Sequence, residues 1–184
     1  MALYQLNYTH RPAGMNKNQI IDHIRISLET APAGVECSFV NLHNGTGVKV
    51  YPWKNWRDEA YFNQMRSYEI GLAPQVFDEF DIDFQLTNDD LDTIISSNEY
   101  ADWATCGEID TLYCYITEYV KPCWQRGGIT TGLAQWRQDT RSKRDRIINE
   151  LYNSADFNML DDHCYNWGMS KRLGGLIPLD FGNP

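Results

Sequence analysis

An Asn44-Gly45 pair lies between two short runs of β-branched and aromatic residues, and it restricts the possible folds more than any other part of the chain. The two runs read VECSFVNL and GVKVY. Asn and Gly both accept the positive φ angles of the tight turns that join antiparallel strands. The pair therefore predicts an antiparallel hairpin, in which Lys49 lies on the sheet face opposite Val48 and Val50 because side chains alternate along a strand.

Two helices are predicted around this hairpin. The segment NKNQIIDHIRISLETA precedes it, with Asn16 or Asn18 as the N-cap. The segment WKNWRDEAYFNQMRSYEIG follows it and ends at Gly71, a residue type common at helix C-termini. Apolar and aromatic side chains recur at helical spacing in both segments. They are Ile20, Ile21, Ile24 and Leu28 in the first helix, and Tyr61, Met65, Tyr68 and Leu72 in the second.

The rest of the chain adds strands and one more helix. QVFDEFDIDFQL and LYCYITEYV are strand-like, and the acidic stretch between them predicts a loop with a short helix. The Gly-rich KPCWQRGGITTG is typical of a hinge. A surface helix is predicted over Arg141–Tyr152, a polar loop over Asn158–Gly168 and a short apolar strand in GGLIPLDFG. These elements together indicate an α+β fold.

Composition limits the possible functions of this 184-residue chain. Its net charge of −9 argues against nucleic acid as the main ligand, because phosphate backbones are bound by clustered Lys and Arg. No stretch reaches the roughly 18 apolar residues of a membrane span, and the N-terminus has no signal-peptide pattern, so we expect no membrane partner and a cytoplasmic location. The five cysteines form no C-x-x-C pair, which argues against a zinc ribbon or a disulfide framework.

Acidic and amide side chains are concentrated in the last part of the sequence. Asp161 and Asn166 lie in a predicted loop, and Asp180 ends a predicted strand, so a helix-loop-strand unit can bring the three together. Carboxylate and amide oxygens are hard ligands that suit Mg²⁺. With Lys49 as a point charge for phosphate, and Glu59 as an acid that can hold this lysine, the set predicts phosphoryl transfer.

The order of these motifs resembles that of the protein kinase-like superfamily, including the aminoglycoside and choline phosphotransferases. GVKVY is similar to the strand with the ATP-positioning lysine, RDEAYFNQM to the helix with its paired glutamate, and YCYITEYV to the strand entering the hinge. DDHCYNWG matches the catalytic-loop pattern Asp-x-x-x-x-Asn, and LDFG matches the metal-binding motif. The resemblance covers Ala31 to Gly182.

The resemblance implies a two-lobed fold, with an antiparallel sheet plus helix in the N-lobe and a minimal helical C-lobe. It implies an N-terminal helical extension over residues 1–30, an N-lobe over 31–120 and a C-lobe over 121–184. It also implies an ATP- and Mg²⁺-dependent phosphotransferase acting on a protein or small-molecule hydroxyl. The implied nucleotide contacts are Lys49, Gly34, Glu118, Tyr119 and Val120, and the implied catalytic residues are Asp161, Asn166, Asp180, Lys49 and Glu59, of which Asn166 and Asp180 hold the metal.

Departures from the family pattern favour a second hypothesis, in which the chain is a kinase-like binding module that docks and regulates a partner protein. The glycine-rich loop is reduced to APAGVECSFV. Met159 stands where the family usually has a histidine, two residues before the catalytic aspartate, and the sequence stops at Pro184, soon after LDFG. A short C-lobe is expected to leave apolar surface for a protein partner or a second copy. A third hypothesis is a metal-dependent hydrolase that uses Asp161, Asp162, His163 and Asp180.

Each candidate also has a structural interpretation. Lys49 is alternatively a lysine on a solvated face, Glu59 a charge that complements the helix dipole, and Asn166 a turn cap. Asp58 or Glu69 is an alternative partner for the lysine. His163 is interpreted as a brace for its loop, Asp162 as a solvated neighbour of Asp161, and Trp167 as a core residue.

Overall fold

The computed structural model describes residues 15–27, 37–83, 111–124, 131–157 and 162–182. Within these ranges the chain has an α+β fold of three helices, a four-stranded antiparallel sheet and a two-stranded sheet. The helices are α1 (Lys17–Ser27), α2 (Lys54–Glu69) and α3 (Leu133–Ala155). The strands are β1 (Ser38–Asn41), β2 (Thr46–Tyr51), β3 (Val76–Asp83), β4 (Thr111–Glu118), β5 (Trp167–Ser170) and β6 (Gly175–Pro178).

The described residues form two compact units. One contains the residues up to Trp53 together with Phe77–Glu118, and the other contains Lys54–Val76 and the residues from Tyr119 onward. The first unit therefore holds α1 and most of the four-stranded sheet, and the second holds α2, α3 and the β5–β6 hairpin. The predicted division at residues 30 and 120 stays a prediction.

The first predicted helix is confirmed as α1, and Asn16 is its cap. The Asn16 side-chain oxygen accepts the Gln19 backbone N–H at 3.0 Å, and the Gln19 side chain accepts the Asn16 N–H at 2.9 Å. This reciprocal pair satisfies backbone donors that have no partner within the helix. Ile20 and Ile24 are buried in the core of the first unit, as their spacing predicts. Leu28 lies outside the described residues.

The predicted hairpin is confirmed as β1–β2. Gly45 takes a φ of 88°, and the Leu42 N–H donates to the Thr46 carbonyl at 3.0 Å across the turn. The sheet order is β1-β2-β4-β3, so β2 and β4 are central. Val48 and Val50 are fully buried in the same core as Leu112 and Ile116. The sheet face that carries Val48 and Val50 packs against α1, and this packing forms the core of the first unit.

Helix α2 is confirmed, and the predicted stripe is half-buried, with Tyr68 and Leu72 packed against the core of the second unit. Its buried positions are Arg57, Ala60, Gln64 and Ser67. Polar side chains are tolerated there because they have hydrogen-bond partners: Gln64 donates to the Pro74 carbonyl at 3.1 Å, and Ser67 donates to the Asn63 carbonyl at 2.7 Å. Gly71 adopts a φ of 77° after the helix, as expected of a glycine at a C-terminus.

The last part of the chain differs from prediction at two boundaries. Helix α3 begins at Leu133, eight residues before the predicted Arg141. The loop expected to reach Gly168 ends earlier, in a 3₁₀ turn over Cys164–Asn166, and β5 starts at Trp167. The core of this unit joins α3 to the hairpin through buried apolar side chains, which include Ile147, Leu151, Trp167, Leu176 and Phe181.

Some predictions fall outside the described residues. They concern the acidic stretch over 87–110, Gly34 of the reduced glycine loop, and Asp161. In the described part of the chain, none of the helices combines the length and the apolar character that a membrane crossing requires.

Candidate functional site

The β5–β6 hairpin brings two predicted site residues together. Trp167 pairs with Pro178 in the antiparallel register, so the residues next to this pair, Asn166 and Leu179, face each other. The Leu179 N–H donates to the Asn166 carbonyl at 2.8 Å and extends the ladder by one step. Asp180 follows directly in the chain. Asn166 and Asp180 therefore lie at the same open end of the hairpin, and a meeting of their side chains stays a prediction.

Local hydrogen bonds fix the backbone at both positions. The Asn166 N–H donates to the His163 carbonyl at 2.9 Å, which closes the 3₁₀ turn before β5. The Asp180 carboxylate accepts the Gly182 N–H at 3.4 Å, and the intervening Phe181 is fully buried in the core. Phe181 is also tied to α2, because the Asn63 side chain donates to its carbonyl at 3.2 Å.

The predicted hinge segment packs against the same hairpin. Gly168 and Pro122 form an isolated antiparallel bridge, and the Cys123 N–H donates to the Trp167 carbonyl at 2.7 Å. A Cβ atom added at Gly168 would lie 2.8 Å from Val120 Cγ1 and 3.1 Å from Leu179 Cδ1. Because Gly168 has no Cβ, Val120, a predicted nucleotide contact, lies close against strand β5. This strand begins directly after Asn166.

Asp162 is anchored on both carboxylate oxygens. Oδ2 accepts a hydrogen bond from Arg144 Nη1 of α3, and Oδ1 accepts one from the Trp167 indole Nε1 at 2.8 Å. Asp162 is exposed, as its interpretation as a solvated neighbour implies, but its carboxylate is also bound at two points. Trp167 is a core residue, as predicted, with no exposed surface.

The guanidinium of Arg144 is buried within a set of partners. Nε donates to Thr140 Oγ1 at 3.1 Å, and Nη2 donates to the Arg137 carbonyl at 3.2 Å. The guanidinium also lies over the Trp136 ring, 5.4 Å from its centroid. A buried charge is stable only when it is paired and hydrogen-bonded, and Arg144 meets both conditions through its contacts with α3 and Asp162.

Sequence reasoning missed Arg144, although a signal was present. The buried residues of α3 are Arg144, Ile147, Leu151 and Ala155, at the three- and four-residue spacing of one helix face. Arg144 therefore occupies a position in the apolar stripe. A charge at such a position indicates a buried partner, and Asp162 is that partner.

Lys49 lies in the first unit, on an aromatic face of the sheet. It is opposite Tyr115 in the β2–β4 register, and its Nζ is 5.8 Å from the Tyr115 ring centroid. Tyr115 stacks on Tyr51, and the Phe39 ring covers Gly47, where a Cβ would lie 2.1 Å from it. Lys49 is only 6% exposed, so the alternative of a lysine on a solvated face is wrong.

The other predicted site residues are placed as follows. Glu59 is exposed in the first half of α2, in the second unit. Its alternative Asp58 contacts Lys54 at 2.5 Å and Arg57 at 2.8 Å, both within its own helix. Glu118 ends β4 and pairs with Thr46 across the sheet, and Tyr119 follows it. His163 is exposed and stacks on Tyr165, with ring centroids 5.8 Å apart.

Asn166 and Asp180 offer oxygen atoms as possible metal ligands. In the described ranges, no group of three or more His, Cys, Asp or Glu side chains is placed to hold a metal ion. Asn166 and Asp180 contribute an amide oxygen and a carboxylate, which suits an ion that keeps most of its water. The hydrolase hypothesis is weakened, because Asp162 is already bound by Arg144 and Trp167.

One thiol of this unit is electrostatically perturbed. Burial raises the pKa of Cys123, since desolvation disfavours the thiolate. Cys123 is therefore a poor nucleophile at neutral pH, and its contribution is structural, through its backbone contact with Trp167.

Comparison with known proteins gives no relative for this arrangement. No family model matches the sequence, and no curated protein or solved structure matches the chain.

Proposed function

We propose that the protein is an ATP- and Mg²⁺-dependent phosphotransferase with a kinase-like two-lobed fold. The observation that supports the proposal is the β5–β6 hairpin, in which Asn166 faces Leu179, the neighbour of Asp180, and in which Gly168 packs against Val120. In the resemblance, Asn166, Asp180 and Val120 correspond to two metal ligands and a nucleotide contact. Their proximity within one unit supports a common site for metal and nucleotide.

The order of elements also supports the proposal. In chain order, helix α2 lies between strands β2 and β3, as the resemblance implies, and it belongs to the second unit. The long α3, the turn carrying Asn166 and the hairpin before Asp180 then follow in the order implied for a C-lobe. Fold alone does not define function, so an activity has to come from the site residues.

In the proposed reaction, the oxygen of an acceptor hydroxyl attacks the γ-phosphorus of ATP. The bond between this phosphorus and the β,γ-bridging oxygen breaks, and ADP leaves with the electron pair of that bond. Asp161 accepts the hydroxyl proton, so charge and atoms balance. The acceptor is a hydroxyl of a protein or a small molecule, and positioning of the reactants supplies much of the rate.

Asn166 and Asp180 would hold the magnesium ion. Mg²⁺ typically takes one or two protein oxygens plus phosphate oxygens and water, and this pair matches that requirement. When bound, the ion neutralises phosphate charge. The hydrogen-bond ladder from Trp167 to Leu179 fixes the distance between the backbone at Asn166 and the backbone at Asp180.

Lys49 would contact the nucleotide phosphates. A buried ammonium group is costly without anionic or π-electron partners, and Lys49 has the Tyr115 ring on its face of the sheet. Binding of phosphate oxygens would stabilise this charge further.

Calorimetric titration with ATP, in the presence and absence of Mg²⁺, tests the proposal. Wild type is expected to bind ATP more tightly with Mg²⁺, and Asp180→Ala is expected to lose this gain, about 10- to 100-fold by analogy with other metal-site variants. Asp145→Ala is the matched control, because it removes an exposed carboxylate of α3 in the same unit. Absence of ATP binding by wild type refutes the proposal and favours the kinase-like binding module instead.

A further inference from the structure

The segment with the predicted catalytic residues is held by one carboxylate between two elements of the second unit. Asp162 Oδ2 is bound by Arg144 of α3, and Oδ1 is bound by Trp167 at the start of β5. We infer that Asp162 and Arg144 are positioning residues, which fix Asn166 for metal binding. This inference rests on the proposed phosphotransferase function.

Burial distinguishes this ion pair from the other pairs of α3. The Arg144 side chain is 7% exposed, whereas Arg141 and Asp145 on the same helix are 79% and 58% exposed and lie 4.0 Å apart. Exposed pairs of that kind contribute little to stability or order, because both side chains are free to move in water. Arg144 has lost this freedom, since Thr140 and the Arg137 carbonyl hold its guanidinium in one orientation.

The hydrogen bond from the Trp167 indole to Asp162 closes a short ring of chain over residues 162–167. Within this ring the Asn166 N–H donates to the His163 carbonyl. Asn166 is therefore restrained on one side by the ring and on the other by its ladder bond to Leu179.

A carboxylate is required at position 162. Both of its oxygens act as acceptors, so it satisfies two donors from opposite sides. Asparagine has one acceptor oxygen, and its amide nitrogen would face either the Arg144 or the Trp167 donor. Asp162→Asn therefore loses one anchor and keeps nearly the same volume, which makes it the variant of choice.

The first experiment compares wild type, Asp162→Asn and the exposed control Asp145→Asn in two assays. Calorimetry gives ATP affinity with and without Mg²⁺, and steady-state ATP hydrolysis, with water as the acceptor, gives kcat and KM. For Asp162→Asn we expect a loss of about 10- to 100-fold in the affinity gained from Mg²⁺, with Mg²⁺-free ATP affinity unchanged. We expect kcat to fall roughly 100-fold and KM for ATP to stay within about threefold. Asp145→Asn should match wild type.

Trp167→Phe provides a second test in case Asp162→Asn does not fold. It removes the indole donor and retains an aromatic ring, so one anchor is lost while the charge pair with Arg144 remains. We expect the same pattern with a smaller loss, about tenfold in kcat. A merely structural role would lower stability without this selective loss of the Mg²⁺-dependent affinity.

Two outcomes overturn the inference, and they are distinguishable. If wild type binds Mg²⁺-ATP and hydrolyses it, but folded Asp162→Asn or Trp167→Phe matches Asp145→Asn in both assays, positioning by Asp162 is refuted and the proposed function stands. If wild type neither binds nor hydrolyses ATP, the proposed function and the positioning role fail together.

Discussion

Removal of Asp162 is predicted to destabilise the protein more than removal of Arg144. Asp162→Ala leaves the guanidinium of Arg144, only 7% exposed, with two neutral partners and no counter-charge. It also leaves the Nε1–H of Trp167, a residue with no exposed surface, without its acceptor. Breaking a buried ion pair costs about 3–5 kcal/mol, and an unsatisfied buried donor about 1–3 kcal/mol. Because Asp162 is itself 39% exposed, we expect a total of about 3–5 kcal/mol.

The Arg144→Met variant removes the other partner. The Asp162 carboxylate that remains is accessible to water and keeps its bond from Trp167, while methionine fills most of the arginine volume. Unlike Asp162→Ala, this change leaves no buried charge. The expected loss in the free energy of unfolding is about 1–2 kcal/mol.

Urea unfolding followed by far-UV circular dichroism measures both losses, and equal m-values would confirm that the unfolded states are comparable. Arg141→Met is the control and should change the free energy of unfolding by less than about 0.5 kcal/mol, because Arg141 is 79% exposed. Equal costs for Asp162→Ala and Arg144→Met, or a larger cost for Arg144→Met, would refute the reasoning from burial.

Two further predictions concern the segment between Val120 and β5. Gly168→Ala should lower the free energy of unfolding by about 1–3 kcal/mol, since the new Cβ would lie 2.9 Å from the Lys121 carbonyl oxygen. Gly175→Ala is the control and should cost far less in the same urea assay, because its Cβ would have no neighbour closer than 3.7 Å. Equal losses for the two variants would contradict the packing argument. Alkylation of Cys123 by iodoacetamide, followed by mass spectrometry, should have its midpoint above pH 8.5, because burial raises the pKa of this thiol. Its contribution to stability is fully present below about pH 8.5 and is lost as the pH rises toward the raised pKa of the folded state. A midpoint at or below pH 8.5 contradicts this prediction.

Local features of the fold were predictable from the sequence. The Asn44-Gly45 turn and the Asn16 cap depend on backbone preferences of a few neighbouring residues, and both are found where predicted. The buried face of α2 was not predictable from apolar spacing. Its buried positions include Gln64 and Ser67, which are satisfied by carbonyl groups of Pro74 and Asn63. Such a pattern depends on tertiary hydrogen bonds that no hydrophobic periodicity records.

The candidate site was predictable in part for the same reason. Asn166 and Asp180 were expected together because a loop and a short strand fold back on each other, and the β5–β6 hairpin does bring Asn166 opposite Leu179, the residue before Asp180. The role of Asp162 was not expected, because its partners lie 18 residues before it and five residues after it. Only the fold reveals that a charge in the apolar stripe of α3 meets this carboxylate.

Asn166 and Asp180 are proposed to form one metal site for a nucleotide. The most direct test is a crystal structure of the protein with Mn²⁺ and a non-hydrolysable ATP analogue, in which anomalous scattering locates the metal. We expect an anomalous peak about 2.0–2.3 Å from the Asn166 side-chain oxygen and from an Asp180 carboxylate oxygen, with phosphate oxygens completing the coordination. A nucleotide bound elsewhere, or a metal peak without contact to both residues, would contradict it.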